Sequence, residues 1–167
     1  MAFEWFLLVR AIHILGAIVW VGSMVLIGAV IMPAVKAARL EEAFLVAILR
    51  RGGFGRLFHV VGPITVAAGA LLYWHQGFLD HPFADAATTD LTIAGIFGLV
   101  AVAYSTFVLG PAERRAIHYV RALPIQPGPR DMDGFRVFHA DLRKRIALGA
   151  PLIFVIVLMM LARPLLA

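Results

Sequence analysis

Four stretches of this chain are apolar for long enough to cross a lipid bilayer, and a water-soluble fold has no use for four of them in 167 residues. A membrane span takes about 20 mostly apolar residues. The runs cover about 5–32 (broken only by Arg10 and His13), then 57–78, 91–109 and 146–161. In hydrocarbon every backbone N–H and C=O must be bonded within the protein, and a helix does this inside its own segment. The expected fold is therefore all-α, an integral membrane four-helix bundle forming one domain over 1–167. Composition agrees: 62% of residues are apolar and 15% charged, against about half and a quarter in globular domains. The first run exceeds the about 7–15 apolar residues of a secretory signal and shows no small-residue cleavage site, so it is expected to stay as an anchor.

The connections orient the spans. The first, from Pro33 to Arg56, carries Lys36, Arg39, Arg50, Arg51 and Arg56. The third, from Gly110 to Arg145, carries Arg114, Arg115, Arg121, Arg130, Arg136, Arg143, Lys144 and Arg145. The second has Asp80, Asp85 and Asp90 and no Lys or Arg. Basic residues stay cytoplasmic, so the first and third connections are expected inside, and the second connection and both termini outside. For a bacterium this predicts a multi-pass protein of the inner (plasma) membrane with periplasmic termini. Arg10 and Arg163 lie near outer helix ends, where long side chains snorkel to the interface. The net charge of +5 is explained by topology and anionic headgroups rather than by nucleic acid.

Within the third connection, Leu123-Pro-Ile-Gln-Pro-Gly-Pro-Arg130 forbids a continuous helix. Met132, Phe135, Val137, Phe138 and Leu142 then recur among charges at helical spacing, which predicts a cytoplasmic interfacial helix over about 131–145 leading into the last span. Stripes that mix small residues with polar and aromatic ones line one side of each of the first three spans: His13, Gly16, Ala17, Trp20, Ser23 and Ile27; His59, Gly62, Pro63, Val66, Gly69, Ala70 and Tyr73; Gly95, Gly98, Val102, Ser105 and Thr106. Such stripes are packing seams in lipid, and a ligand cavity can lie between them.

Histidine is the chemical signal. An ionisable side chain in hydrocarbon is expensive and points to function. His13 sits three turns into the first span, about 10 Å outward of its midpoint, and His59 about 10 Å inward of the midpoint of the second. They are too far apart in depth to share an ion. His75 ends the second span on the outer side, within a turn of the depth of His13, and two such imidazoles can hold a haem iron from opposite faces. His59 and His139 are weaker candidates for a metal on the inner side. Each also has a plainer reading, as a packed or interfacial residue. His81 and His118 read as loop or headgroup residues. The chain has no cysteine, which excludes disulfides, thiolate metal sites and covalent haem attachment. No carboxylate pair lies within a span, no phosphate loop or zinc-protease motif occurs, and Ser23 and Ser105 show no evident base partner in the sequence. Met24, Met32 and Met159-Met160 are soft-ligand types for Cu(I) and equally common apolar filler.

Arg10-Ala-Ile-His13-Ile-Leu-Gly-Ala-Ile-Val-Trp20-Val-Gly22 resembles the first-helix signature of the HemJ-type protoporphyrinogen oxidases and the CopD-type copper-resistance membrane proteins. Ile31-Met-Pro33-Ala-Val35 is similar to the proline-containing end of that helix in the CopD type. Arg50-Arg51 through Gly69 is similar to the second helix of both, and Val155 to Arg163-Pro164 is similar to the HemJ-type carboxyl terminus. The resemblance implies haem b, with His13 as the iron ligand. It also implies that Trp20 and Gly22 shape the cavity and that Gly16 leaves room for a flat macrocycle. The HemJ type carries a lysine early in its third helix, where this chain reads Thr89-Asp-Leu-Thr-Ile-Ala94. That favours a haem-binding or CopD-like relative over protoporphyrinogen oxidation itself.

Three functions stay open from the sequence. One is a haem b protein in redox or electron transfer, working with a membrane redox partner or a second copy. Another is a copper-handling or export protein using His13 with His75 or methionines. The third is a non-catalytic structural or assembly subunit of a membrane complex.

Overall fold

The computed structural model describes residues 2–51, 55–125 and 127–166. The side chains of Arg56, Met160 and Arg163 lie outside the described residues. Helices α1 (Ala2–Val25), α2 (Met32–Ala37), α3 (Glu41–Arg50), α4 (Gly55–His75), α5 (Ala86–Tyr104), α6 (Gly110–Ala122) and α7 (Pro129–Leu166) follow one another, with no strand among the described residues. Three continuous helical stretches are long and apolar enough to cross a membrane: Glu4–Ala37, Leu57–His75 and Ala86–Ala122.

Two of these stretches outrun the hydropathy that marks them, and each does so through a proline. Leu26–Ile31 and Ser105–Leu109 are π-helical turns lying just before Pro33 and Pro111. A proline has no N–H to give, and its ring crowds the carbonyl four residues back. The wider turn relieves this: the Met32 N–H bonds Ile27 O and the Gly110 N–H bonds Ser105 O, each five residues back. The helix therefore continues through the proline into the polar region, and α6 is the direct extension of α5. Gly77, at φ +72°, closes α4 with a Phe78 N–H to Tyr73 O bond of 3.3 Å. Asp85 opens α5 by accepting the Thr88 N–H at 2.6 Å.

The apolar helices pack α1 on α4, α4 on α5 and α5 on α7. The α1–α4 seam is a run of small-to-large contacts. A Cβ on Gly62 would meet the Trp20 ring, one on Gly16 would collide with Thr65 Oγ1, and one on Gly69 would lie 2.8 Å from His13 Cε1. Glycine alternates between the two helices so that each bulky partner sinks against backbone, as close approach in lipid requires. Trp20, Ala101 and Ile156 form the buried centre, joined by Phe58, Val61, Phe97 and Leu152. The opposite faces carry large exposed apolar side chains such as Leu15, Leu99, Phe107 and Leu148. A lipid-facing surface accounts for these.

A second core lies beyond the apolar helices. Val46 and Leu49 of α3, Ala116 and Val120 of α6 and Phe135 of α7 are buried together, Val120 and Phe135 almost completely. Arg136 pairs with Glu42 at 2.6 Å, and the Arg50 guanidinium donates to the carbonyls of Leu123 and Pro124 just past the end of α6. The first and third connections are thus folded helices forming a cap. The 131–145 segment and the apolar 146–161 run belong to one unbroken helix, α7, in which Met132, Phe135 and Phe138 pack with the cap core.

Candidate functional site

A cavity of about 1280 Å³ opens between α1 and α5, with α4 behind it and α7 at one end. This exceeds the about 300–1,000 Å³ usual for small-molecule sites. His13, Trp20 and Gly22 line it from α1, Thr65, Gly69 and Tyr73 from α4, Gly95 and Gly98 from α5, and Ile153, Ile156 and Val157 from α7. The α4–α5 connection contributes Phe78, Leu79 and Pro82 at the other end. A Cβ built on Gly22 or on Gly95 would meet nothing within 4 Å, so both faces are free of crowding.

The α1–α4 seam fixes the His13 ring. Its Nδ1 lies 2.8 Å from the backbone carbonyl of Thr65. A carbonyl oxygen only accepts, so Nδ1 carries the proton and the lone pair of the neutral ring is on Nε2. Gly69 lets the ring come this near the α4 backbone. Thr65 is buried and turns its hydroxyl onto its own helix, donating to Val61 O at 2.8 Å, so its carbonyl is what it offers α1. Nε2 makes no hydrogen bond among the described residues. A second partner on one ring nitrogen that fixes the tautomer and leaves the other nitrogen open is the usual setting of a metal-ligating histidine.

The other sequence candidates are placed elsewhere. His75 is two turns farther along α4 than Gly69. Its ring packs edge-on against Trp5 at 4.7 Å and against Phe6 at 5.4 Å, and it does not line the cavity. Gly16 is outside the lining as well, and the space it leaves is taken by Thr65 rather than by a ligand. His59 Nε2 lies 3.3 Å from Glu113 Oε2, and Glu113 also accepts the Gly55 N–H at 3.0 Å. His139 pairs with Glu41 at 3.4 Å and stacks parallel to Phe135. His59 and His139 are therefore each tied to their own carboxylate. No group of three or more His, Cys, Asp or Glu able to hold a metal ion occurs among the described residues.

Ser105 does have a base beside it, which the sequence does not reveal: its Oγ is 3.3 Å from His59 Nδ1. With Glu113 this makes a hydroxyl–imidazole–carboxylate chain across α4, the π turn and α6. None of the three lines the cavity around His13, so the chain reads as a tie between helices rather than a nucleophile. Comparison with protein family models, curated proteins and solved structures gives no match to this chain.

Proposed function

We propose that this protein is a haem b-binding integral membrane protein of the HemJ- and CopD-like kind, acting in redox or electron transfer. The observation that carries this reading is the His13–Thr65 hydrogen bond. In the neutral ring it leaves the Nε2 lone pair free, on a residue lining a cavity large enough for a macrocycle. The donor set suits haem better than copper: one imidazole and no Met, Cys, Asp or Glu lines the cavity among the described residues. A bare copper ion needs more ligands than that, whereas a haem iron brings four of its own. Bound haem would supply one-electron chemistry. The chain's own part is to hold the His13 ring in one tautomer, to wall the cavity with Trp20, Gly22 and Gly95, and to exclude water with the apolar side chains around them.

In this reading α1, α4, α5 and the 146–161 part of α7 are the four spans of a bundle in a bacterial inner membrane. Both termini face outward and the basic cap faces the cytoplasm, as the distribution of Lys and Arg favours. A reporter fused in the α4–α5 connection at Asp85 tests the orientation, and cytoplasmic labelling there would reverse it. The function is tested by the absorbance of detergent-purified protein from haem-sufficient cells, oxidised and then reduced with dithionite. A Soret band that shifts on reduction is expected, and a featureless spectrum would remove the proposal.

A further inference from the structure

The cavity is polar at one end only, and the polarity there is unbalanced. Toward α7 its lining is Trp20, Ile153, Ile156 and Val157. Toward the α4–α5 connection it holds Arg10, Tyr73, Gln76 and Thr92. Two of these four are already engaged. The Thr92 hydroxyl lies 2.6 Å from Pro82 O and 2.8 Å from Thr88 O, both of which only accept, and Tyr73 Oη lies 2.6 Å from Thr92 Oγ1. Arg10 and Gln76 have no side-chain partner among the described residues. Arg10 is therefore a permanent cation with five donors, in a cavity that no described carboxylate lines. It stands three residues before His13, on the same face of α1 and about one turn toward the polar end.

On the strength of the haem reading, we infer that Arg10, assisted by Gln76, binds the carboxylates of the cofactor and so selects an amphipathic dianionic tetrapyrrole over its neutral analogues. The cavity then reads its ligand at two points. His13 Nε2 takes the metal, and the guanidinium takes the acid edge through charge-assisted, planar hydrogen bonds. The apolar end near Trp20 takes the ring edge without charges. Arginine at a span end also snorkels to headgroups with no ligand at all, and the experiment separates these two roles.

The purified apoprotein is titrated in one detergent with haemin and with haemin dimethyl ester, as wild type, Arg10→Gln and Arg10→Lys, and binding is followed at the Soret band. Comparing each variant with wild type for the same ligand cancels the different micelle partitioning of the two haemins. The expected result is that Arg10→Gln weakens haemin binding about tenfold or more and leaves the ester within about twofold of wild type. Arg10→Lys should recover part of the haemin affinity. Arg10 makes no side-chain hydrogen bond or ion pair to another helix among the described residues, and Arg10→Lys, which keeps the charge, carries the test if Arg10→Gln does not fold. Equal weakening of both ligands by Arg10→Gln, or no weakening of either, overturns the role of Arg10 and leaves the haem reading standing. Failure of wild type to bind either haemin in a His13-dependent way overturns both.

Discussion

The Nδ1 of His13 and the carbonyl oxygen of Thr65 meet at 2.8 Å across the α1–α4 seam, although 52 positions separate the residues in the chain. One backbone atom thus decides which nitrogen of the ring is free. Gly69 makes that contact possible, since a methyl group there would lie 2.8 Å from His13 Cε1 and 3.0 Å from Nδ1.

Gly69→Ala should therefore damage the site without touching a ligand directly. The ring must swing off Thr65 O, so haem content or affinity is expected to fall severalfold while far-ultraviolet circular dichroism stays that of the wild type. Haem binding unchanged in Gly69→Ala would mean that the Thr65 hydrogen bond does not orient the ligand.

Gly16 has a different role in the same seam. Its hydrogen faces Thr65, and any Cβ collides with Thr65 Oγ1. Gly16→Val overpacks the α1–α4 contact, which typically costs about 1–3 kcal/mol. Thermal unfolding in detergent should show the loss even in apoprotein, which a purely cofactor-facing glycine would not produce.

How much of this was legible in the sequence follows from which signals are local. The apolar runs at 5–32, 57–78 and 91–109 correspond to the three membrane-length stretches Glu4–Ala37, Leu57–His75 and Ala86–Ala122. Hydropathy shows where lipid is, not where a helix stops, so it gave no notice that the chain stays helical through Pro33 and Pro111 by means of π turns. The cap was hidden because its helices are short and amphipathic, too short or too polar to register as spans. Its signal was present as Val46 and Leu49, and Ala116 and Val120, at spacings of three and four, diluted by arginines on the other faces. His13 stood out as an ionisable group in hydrocarbon, whereas its partner is a backbone carbonyl and has no sequence signature. Ser105 and His59 are 46 positions apart, so only folding reveals their contact.

Phe135 is 1% exposed at the centre of the cap. Truncating a buried phenylalanine leaves a cavity and costs about 3–5 kcal/mol. Phe135→Ala is expected to open the cap, with faster amide exchange over 41–50 and 111–122 and earlier proteolysis of the 123–130 linker. The Soret band should be retained, because Phe135 does not line the cavity around His13. Loss of haem along with the cap would couple the two cores.

Asp141 lies on the charged part of α7. The hydrogen bond from Arg145 at 2.9 Å, with further attraction from Arg145, Arg115 and Lys144, holds its carboxyl below the ordinary value of 3.8. A lowered folded-state value stabilises the protein above the unfolded value, and that contribution is lost as pH falls through the folded one. Carboxyl NMR titration should therefore place Asp141 below the usual aspartate range, and Arg145→Gln should move its midpoint upward. An unmoved midpoint would show that the pair does not persist in solution.

The histidines give the sharpest comparison, because four of them differ in what surrounds the ring. His13→Ala should abolish the Soret band and cost the apoprotein only about 1 kcal/mol, the worth of one hydrogen bond. His75→Ala should keep the band, since that ring packs on Trp5 and Phe6 and lies outside the cavity lining. His139→Ala should keep it too, as its partners are Glu41 and Phe135. His59→Ala should keep the band yet destabilise the junction of α4 with α6 by about 1–3 kcal/mol, because Glu113 loses one of its two partners and Ser105 loses its own. If the band vanished with His75→Ala, His75 would be a second iron ligand, and α1 and α4 would have to shift on binding to bring the two rings face to face.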